Sequence, residues 1–251
     1  MGAPVLRDYQ VEAIEAVRQC AREGKRRILM VAPTGSGKTV CFASIIQAAV
    51  AKGSRALVLA HRRELITQAS NKLNALGVQH GIIQAGFRPA PQRPVQVASV
   101  QTLARRPDAC TRVDVLVVDE AHHASAGSYV KILSWYPQAI VIGVTATPWR
   151  LDGHGLGDLF EGHVGASTPR ALRDAGHLVP VGGWQYESID TSHARVKAGD
   201  FVAGDMQREA MSRKVVGDVV GEWKAHAAGL RTVLFAVTVE HSQAMVAAFT
   251  A

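Results

Sequence analysis

The run Ile28-Leu29-Met30-Val31 leads straight into Ala32-Pro33-Thr34-Gly35-Ser36-Gly37-Lys38-Thr39, and the apolar-rich stretch Val40 to Ala51 follows. Strand, glycine turn and helix in that order leave few folds open, because together they make the unit that cradles a triphosphate in α/β proteins. Gly35 and Gly37 let the backbone turn its N–H groups inward with no Cβ in the way. A helix beginning near Lys38 aims its positive end at the anion. Pro33, Thr34, Gly35, Ser36 and Gly37 then line the cradle, Lys38 reaches the outer phosphates, and the Thr39 hydroxyl is a ligand for Mg²⁺. Position 32 is Ala where the strict pattern has Gly.

The same rhythm continues. Short apolar runs at Ile28–Ala32, Ala56–Ala60, Gly81–Gln84, Val95–Val100, Val113–Asp119 and Ile140–Ala146 predict strands. Several are apolar almost throughout, as strands covered on both faces must be. Helices are expected at Tyr9–Arg22, Val40–Ala51, Glu64–Leu76 and Ser128–Trp135. The whole predicts an α/β fold, a parallel sheet with helices on both faces. Arg88 to Pro94 holds three prolines and reads as a loop. After Pro148 the texture changes: Leu151–Asp158 is glycine-rich with no evident order. A strand at Val181–Glu187, a helix at Ser212–Ala227, a strand at Thr232–Val237 and a helix from His241 to Phe249 then suggest the start of a second cycle. The expected division is residues 1–170 and 171–251.

No run approaches the ~18 apolar residues of a membrane span. Met1–Arg7 lacks the apolar core of a signal peptide, and Cys20, Cys41 and Cys110 form no CxxC pair, so a reducing, cytoplasmic setting is expected. The net charge of +7 is concentrated. Between His61 and Arg112 stand eight basic residues, seven of them Arg, against Glu64 and Asp108. Arginine is the better phosphate fork, and such a stripe points to a polyanion partner.

Val115-Leu116-Val117-Val118 ends in Asp119-Glu120-Ala121-His122. Two carboxylates at the C-terminal end of a buried strand sit where open α/β sheets bind ligands. One can hold Mg²⁺ while its neighbour polarises an attacking water.

With these motifs in place the chain resembles the superfamily 2 helicases and translocases of the DEAD/DEAH type. Leu6-Arg7-Asp8-Tyr9-Gln10 is similar to their adenine-reading element. Ala32–Thr39 resembles motif I, Leu59–Leu65 motif Ia and Ala98–Leu103 motif Ib. Asp119–His122 matches motif II letter for letter, and Thr145-Ala146-Thr147-Pro148 resembles motif III. Val233–Val237 with His241-Ser242 is similar to motif IV. A bacterial RadD-like DNA-repair group is the nearest resemblance, with restriction-enzyme motor subunits as relatives.

The resemblance implies a RecA-like P-loop NTPase domain followed by an incomplete second one, ATP and Mg²⁺ as cofactors, and nucleic acid as partner, DNA favoured over RNA. It implies Glu120 as general base, Asp119 and Thr39 on Mg²⁺, and Arg7 and Gln10 at the nucleotide. His122 would link the site to Thr145 and Thr147, and Arg62, Arg63, Gln101 and Thr102 would contact nucleic-acid phosphates. His123 is read as incidental, and Trp149 as a core or interface residue. Motifs V and VI, the latter supplying an arginine finger, are expected beyond residue 251, so this chain by itself is expected to turn ATP over slowly.

Overall fold

In the computed structural model, which describes residues 5–124, 126–148, 155–183, 194–197, 200–211 and 213–250, the chain opens with α1 (Asp8–Arg22). Ala13, Ile14 and Val17 repeat at helical spacing and are buried. Then follow β1 (Arg27–Val31), α2 (Lys38–Ala51), β2 (Ala56–Ala60), α3 (Arg63–Ala75), β3 (His80–Ile83), β4 (Val95–Ser99), α4 (Val100–Ala104) and β5 (Val115–Asp119). α5 (Gly127–Ser134), β6 (Ile140–Thr145), β7 (Gly162–Gly165) and α6 (Pro169–Asp174) complete the series. The strands form one sheet in the order β3-β4-β2-β5-β6-β1-β7, every pair parallel.

Because successive strand residues face opposite ways, one apolar run serves two cores. Ile28 and Met30, Val58, Val117 and Ile142 point to the side packed by α1, α2 and α3, around the fully buried Phe42. Leu29, Leu57, Leu59, Leu116, Val118 and Val141 point to the other, where Leu103, Ile132 and Phe160 cover them. This is why β2 and β5 are apolar at nearly every position. Parallel strands all end on one edge of the sheet, so the loops after β1, β6, β5, β2, β4 and β3 stand there in a row.

The predicted strands and helices of the first 148 residues fall within two residues of the observed elements. β7 was not anticipated: of Gly162–Gly165 only Val164 is a buried apolar side chain. It adds to the free edge of β1 through the register Ile28↔Gly162 to Val31↔Gly165.

The chain divides into compact units Met1–Pro180 and Val181–Ala251. The second contains the short antiparallel pair β8 (Val196–Lys197) and β9 (Asp200–Phe201), then α7 (Ala203–Ala210), α8 (Arg213–His226) and α9 (Val239–Thr250). Trp223 of α8 meets Phe249 of α9 edge-on at 5.1 Å. The expected strand Thr232–Val237 does not form. Val233 and Phe235 are 78% and 92% exposed, and among the described residues no strand lies alongside to satisfy its backbone. Residues 181–183 are likewise not strand. The remainder of Val181–Glu187, Trp149 and the first half of Leu151–Asp158 lie outside the described residues. No helix among the described residues is long and apolar enough to cross a membrane.

Candidate active site

The turn after β1 takes the shape its glycines permit. Gly35 and Gly37 sit at φ +81° and +82°, in the left-handed region, and Gly37 begins α2 without a capping side chain. The first N–H groups of α2 are thus left for an anion. Gly37 has a second reason to be glycine: a Cβ there would stand 2.5 Å from Gln10 Nε2. Gln10 is buried in α1. Its Nε2 donates to the Ser36 carbonyl at 2.8 Å and its Oε1 accepts the Arg7 N–H at 3.0 Å. Tyr9 Oη donates to the same carbonyl at 2.7 Å. The Gln10 amide therefore braces the glycine turn after β1 from below, a contact that sequence separation hid. Arg7 is exposed, its Nη1 3.3 Å from Tyr9 Oη. Lys38 Nζ reaches back to the carbonyls of Ala32 and Pro33 at 3.3 and 3.4 Å.

Strand pairing brings the other motifs to this turn. Val31 lies beside Thr145, and Asp119 beside Val144. The Ala32 N–H donates to the Thr145 carbonyl at 2.9 Å. β6 thus holds Thr145 between the glycine turn and the carboxylates. Asp119 is 5% exposed and accepts the Glu120 N–H on Oδ1 at 3.1 Å. Burial, reinforced by the Glu120 charge, pushes its carboxyl up to about 6, against the pull of that N–H and of Lys38. Glu120 has φ 53° and ψ 57°, the one non-glycine residue with positive φ among those described. That turn carries the chain from β5 into the short 3-10 turn Ala121–His123. Gly143 makes room for it, since a Cβ there would collide with Ala121 and Phe160.

His122 Nδ1 lies 3.2 Å from Thr145 Oγ1, 3.4 Å from Thr147 Oγ1 and 3.4 Å from the Glu120 carboxylate. The Thr145 hydroxyl donates to the Thr147 carbonyl at 2.9 Å. Its oxygen is therefore an acceptor toward His122, which puts the imidazole proton on Nδ1. His123 is not isolated: its ring is 4.2 Å from that of His122 and 4.4 Å from that of His61, centroid to centroid. Burial lowers the pKa of both His61 and His123, with Arg62 and His122 respectively adding to it. No histidine, cysteine or carboxylate cluster among the described residues has the makings of a metal centre by itself.

Arg62 and Arg63 are exposed at the start of α3. Gln101 Nε2 donates to the His61 carbonyl at 3.5 Å, which joins motifs Ia and Ib. Thr102, expected to contact phosphate, lies inside the first turn of α4. α4 starts at Val100, and the Thr102 N–H is already taken by the Ser99 hydroxyl at 3.4 Å.

The desolvated Asp119 has a measurable consequence. Its native pKa stands above the unfolded value near 3.8, so the native state holds the proton more tightly and loses stability as pH rises from about 4 to 6. The penalty is complete above about 6 and amounts to about 3 kcal/mol. Asp119→Asn should accordingly raise the melting temperature of the ligand-free chain at pH 7.5. The gain should shrink toward pH 4, as followed by thermal denaturation.

Residues 3–150 match the family described as type III restriction enzyme, res subunit. The chain belongs to this family, within the superfamily 2 helicases. It is 30% identical over 273 residues to IRC3 of Saccharomyces cerevisiae, named as an ATP-dependent helicase, with 97% of this chain and 39% of that protein covered. It is 30% identical over 161 residues to the DNA 3'-5' translocase XPB2 of Sulfurisphaera tokodaii, covering 63% of this chain and 35% of the relative. Among solved structures the UvsW helicase of bacteriophage T4 shares the fold, with TM-score 0.54, 19% identity, and 66% of this chain and 62% of that one covered. The chain spans less than half the length of the curated relatives it matches.

Proposed function

We propose that this member of the res-subunit family supplies the ATP-binding side of an ATP-dependent nucleic-acid motor, with DNA as the favoured track. The observation that carries the reading is the row of loops on one sheet edge: phosphate turn, Thr145, Asp119-Glu120, Arg62-Arg63, Gln101. Nucleotide and polyanion sites then share strands, so an event at one is felt at the other.

The residues present fit Mg-ATP. The Ser36 hydroxyl is buried without a partner among the described residues, the start of α2 has no side-chain cap, and Thr39 with Asp119 offers the hard oxygen ligands that Mg²⁺ requires. Bound Mg-ATP supplies the transferable phosphoryl group and the cation that neutralises it. Lys38 balances phosphate charge beside Thr34, Pro33 and the glycines. Glu120 accepts the proton of the attacking water, held at its angle by the left-handed turn. The His122 Nδ1–H ties that carboxylate to Thr145 and Thr147, so motif III senses which state the base is in. Gln10 serves the nucleotide through the turn it braces, and the exposed Arg7 beside it is the group offered to the base.

DNA is favoured through the translocase among the relatives, and the RadD-like resemblance adds a repair setting. The unpaired Cys20, Cys41 and Cys110 support a reducing, cytoplasmic compartment. Contacts of the Arg62 and Arg63 kind grip phosphates and read no bases. Arg62→Glu with Arg63→Glu should therefore weaken every oligonucleotide about equally, by roughly tenfold or more at moderate salt, and flatten the salt dependence. Fluorescence anisotropy on several unrelated sequences checks this. Affinity that stays intact, or that falls for one sequence alone, would overturn the assigned track. Mg-ATP hydrolysis with and without added DNA tests the motor itself.

A further inference from the structure

The row of loops does not end at Gln101. β3 is the next strand after β4 and forms the edge of the sheet, and the loop leaving it carries Phe87 and Arg88. Phe87 is 41% exposed, an aromatic face turned to solvent beside a basic stripe. Behind it lies a cavity of about 360 Å³ whose lining includes Ile83, Gln84, Phe87, Pro91, Arg106 and the acidic Asp108, within the size range of small-ligand sites. The wall is mixed, apolar at Ile83, Pro89 and Pro91 and polar at Gln96 and Asp108, and among the described residues Gln84 Oε1 has no hydrogen-bond partner. Arg88, Arg105 and Arg106 are exposed and form no ion pair among the described residues.

An aromatic platform, an amide with both donor and acceptor, and arginines around the rim are the complement of a nucleotide. The ring face suits any base. A side-chain amide pairs with the donor–acceptor edge of a base. Guanidinium forks take the flanking phosphates. An apolar peptide would leave the amide unmet, and three arginines against Asp108 keep the rim net positive.

We propose that this pocket is a base-binding subsite for a single nucleic-acid strand: past the Arg62–Gln101 face, one base turns in, stacks on Phe87 and meets Gln84, while Arg88 and Arg106 hold its phosphates. The inference rests on the nucleic-acid reading above. It adds a stacking anchor at the sheet edge, distant from the ATP-facing strands, that phosphate contacts alone do not provide.

The test is the affinity of a single-stranded oligonucleotide and of an abasic strand of the same length for the whole chain and three variants. Phe87→Ala should weaken the normal strand by about five- to a hundredfold, the range measured for removal of a stacking partner, and bind the abasic strand as wild type does. Phe87→Trp should retain wild-type affinity. The exposed position of Phe87 leaves folding intact, and unchanged melting temperatures verify it. If Phe87→Ala binds the normal strand like wild type, or still prefers it to the abasic strand as strongly, the subsite is refuted. Arg62→Glu/Arg63→Glu separates the two readings: binding that needs these arginines but ignores Phe87 removes the subsite alone, whereas a wild-type chain that binds neither strand removes the nucleic-acid reading and the subsite together.

Discussion

Lys38→Ala is expected to abolish the thermal stabilisation that Mg-ATP gives the wild-type chain. A ligand at a hundred times its dissociation constant stabilises the native state by about 2.7 kcal/mol. For a chain of this size that is a rise of roughly 5–10 °C in melting temperature. Without the ammonium group, the phosphates face the Asp119 and Glu120 carboxylates with no cation from the protein between them. The Asp119 carboxyl also loses the charge that holds its pKa down, so it becomes a poorer ligand for Mg²⁺. The ligand-free protein should change little, since among the described residues the Lys38 hydrogen bonds are the long ones to the carbonyls of Ala32 and Pro33, at 3.3 and 3.4 Å. Differential scanning fluorimetry with and without Mg-ATP distinguishes the two. A variant stabilised as strongly as wild type would overturn the phosphate-turn assignment.

Glu120→Gln should separate binding from turnover. The amide keeps size and shape but cannot take a proton, and removal of a general base lowers turnover by about 10²–10⁴-fold. Nucleotide affinity should stay within about twofold, because among the described residues Glu120 touches His122 and its own strand end, away from the turn assigned to the phosphates. Measuring ATP dissociation constant and turnover in parallel, with DNA present, gives the split. Loss of binding with retained turnover would reverse the roles given to Asp119 and Glu120.

Much of the fold was legible because double-sided burial writes itself as uninterrupted apolar runs. β2 and β5 are of this kind, and their ends could be read to within two residues. β7 lacks that signature: two glycines and an exposed His163 surround Val164, so only its pairing with β1 makes it a strand. Thr232–Val237 failed in the opposite sense, as an apolar run with no strand beside it among the described residues. At the site, Lys38 opens α2 and Asp119, Glu120 and Thr145 lie at strand ends, positions that apolar runs mark in a sequence. His122 with Thr147 followed, because motif III lies on the adjacent strand.

What escaped were contacts made across long sequence distances. Gln10 meets Ser36, and His61 meets His123, only because α1 packs under the turn and β2 lies beside β5. The capping of Thr102 by Ser99 was within reach, since Ser three residues before a backbone N–H is an ordinary helix start.

The left-handed backbone at Glu120 has a consequence for any effort to make this protein sturdier. A side chain in that region costs about 1 kcal/mol relative to glycine, and Asp119 beside it is ionised in a place that resists charge. Heat tolerance alone thus favours Gly or Asn at 120 and a neutral side chain at 119. A library screened only for survival at high temperature is therefore expected to fill with sequences that keep the sheet and have discarded both carboxylates. Only a screen that also scores ATP consumption would hold them in place.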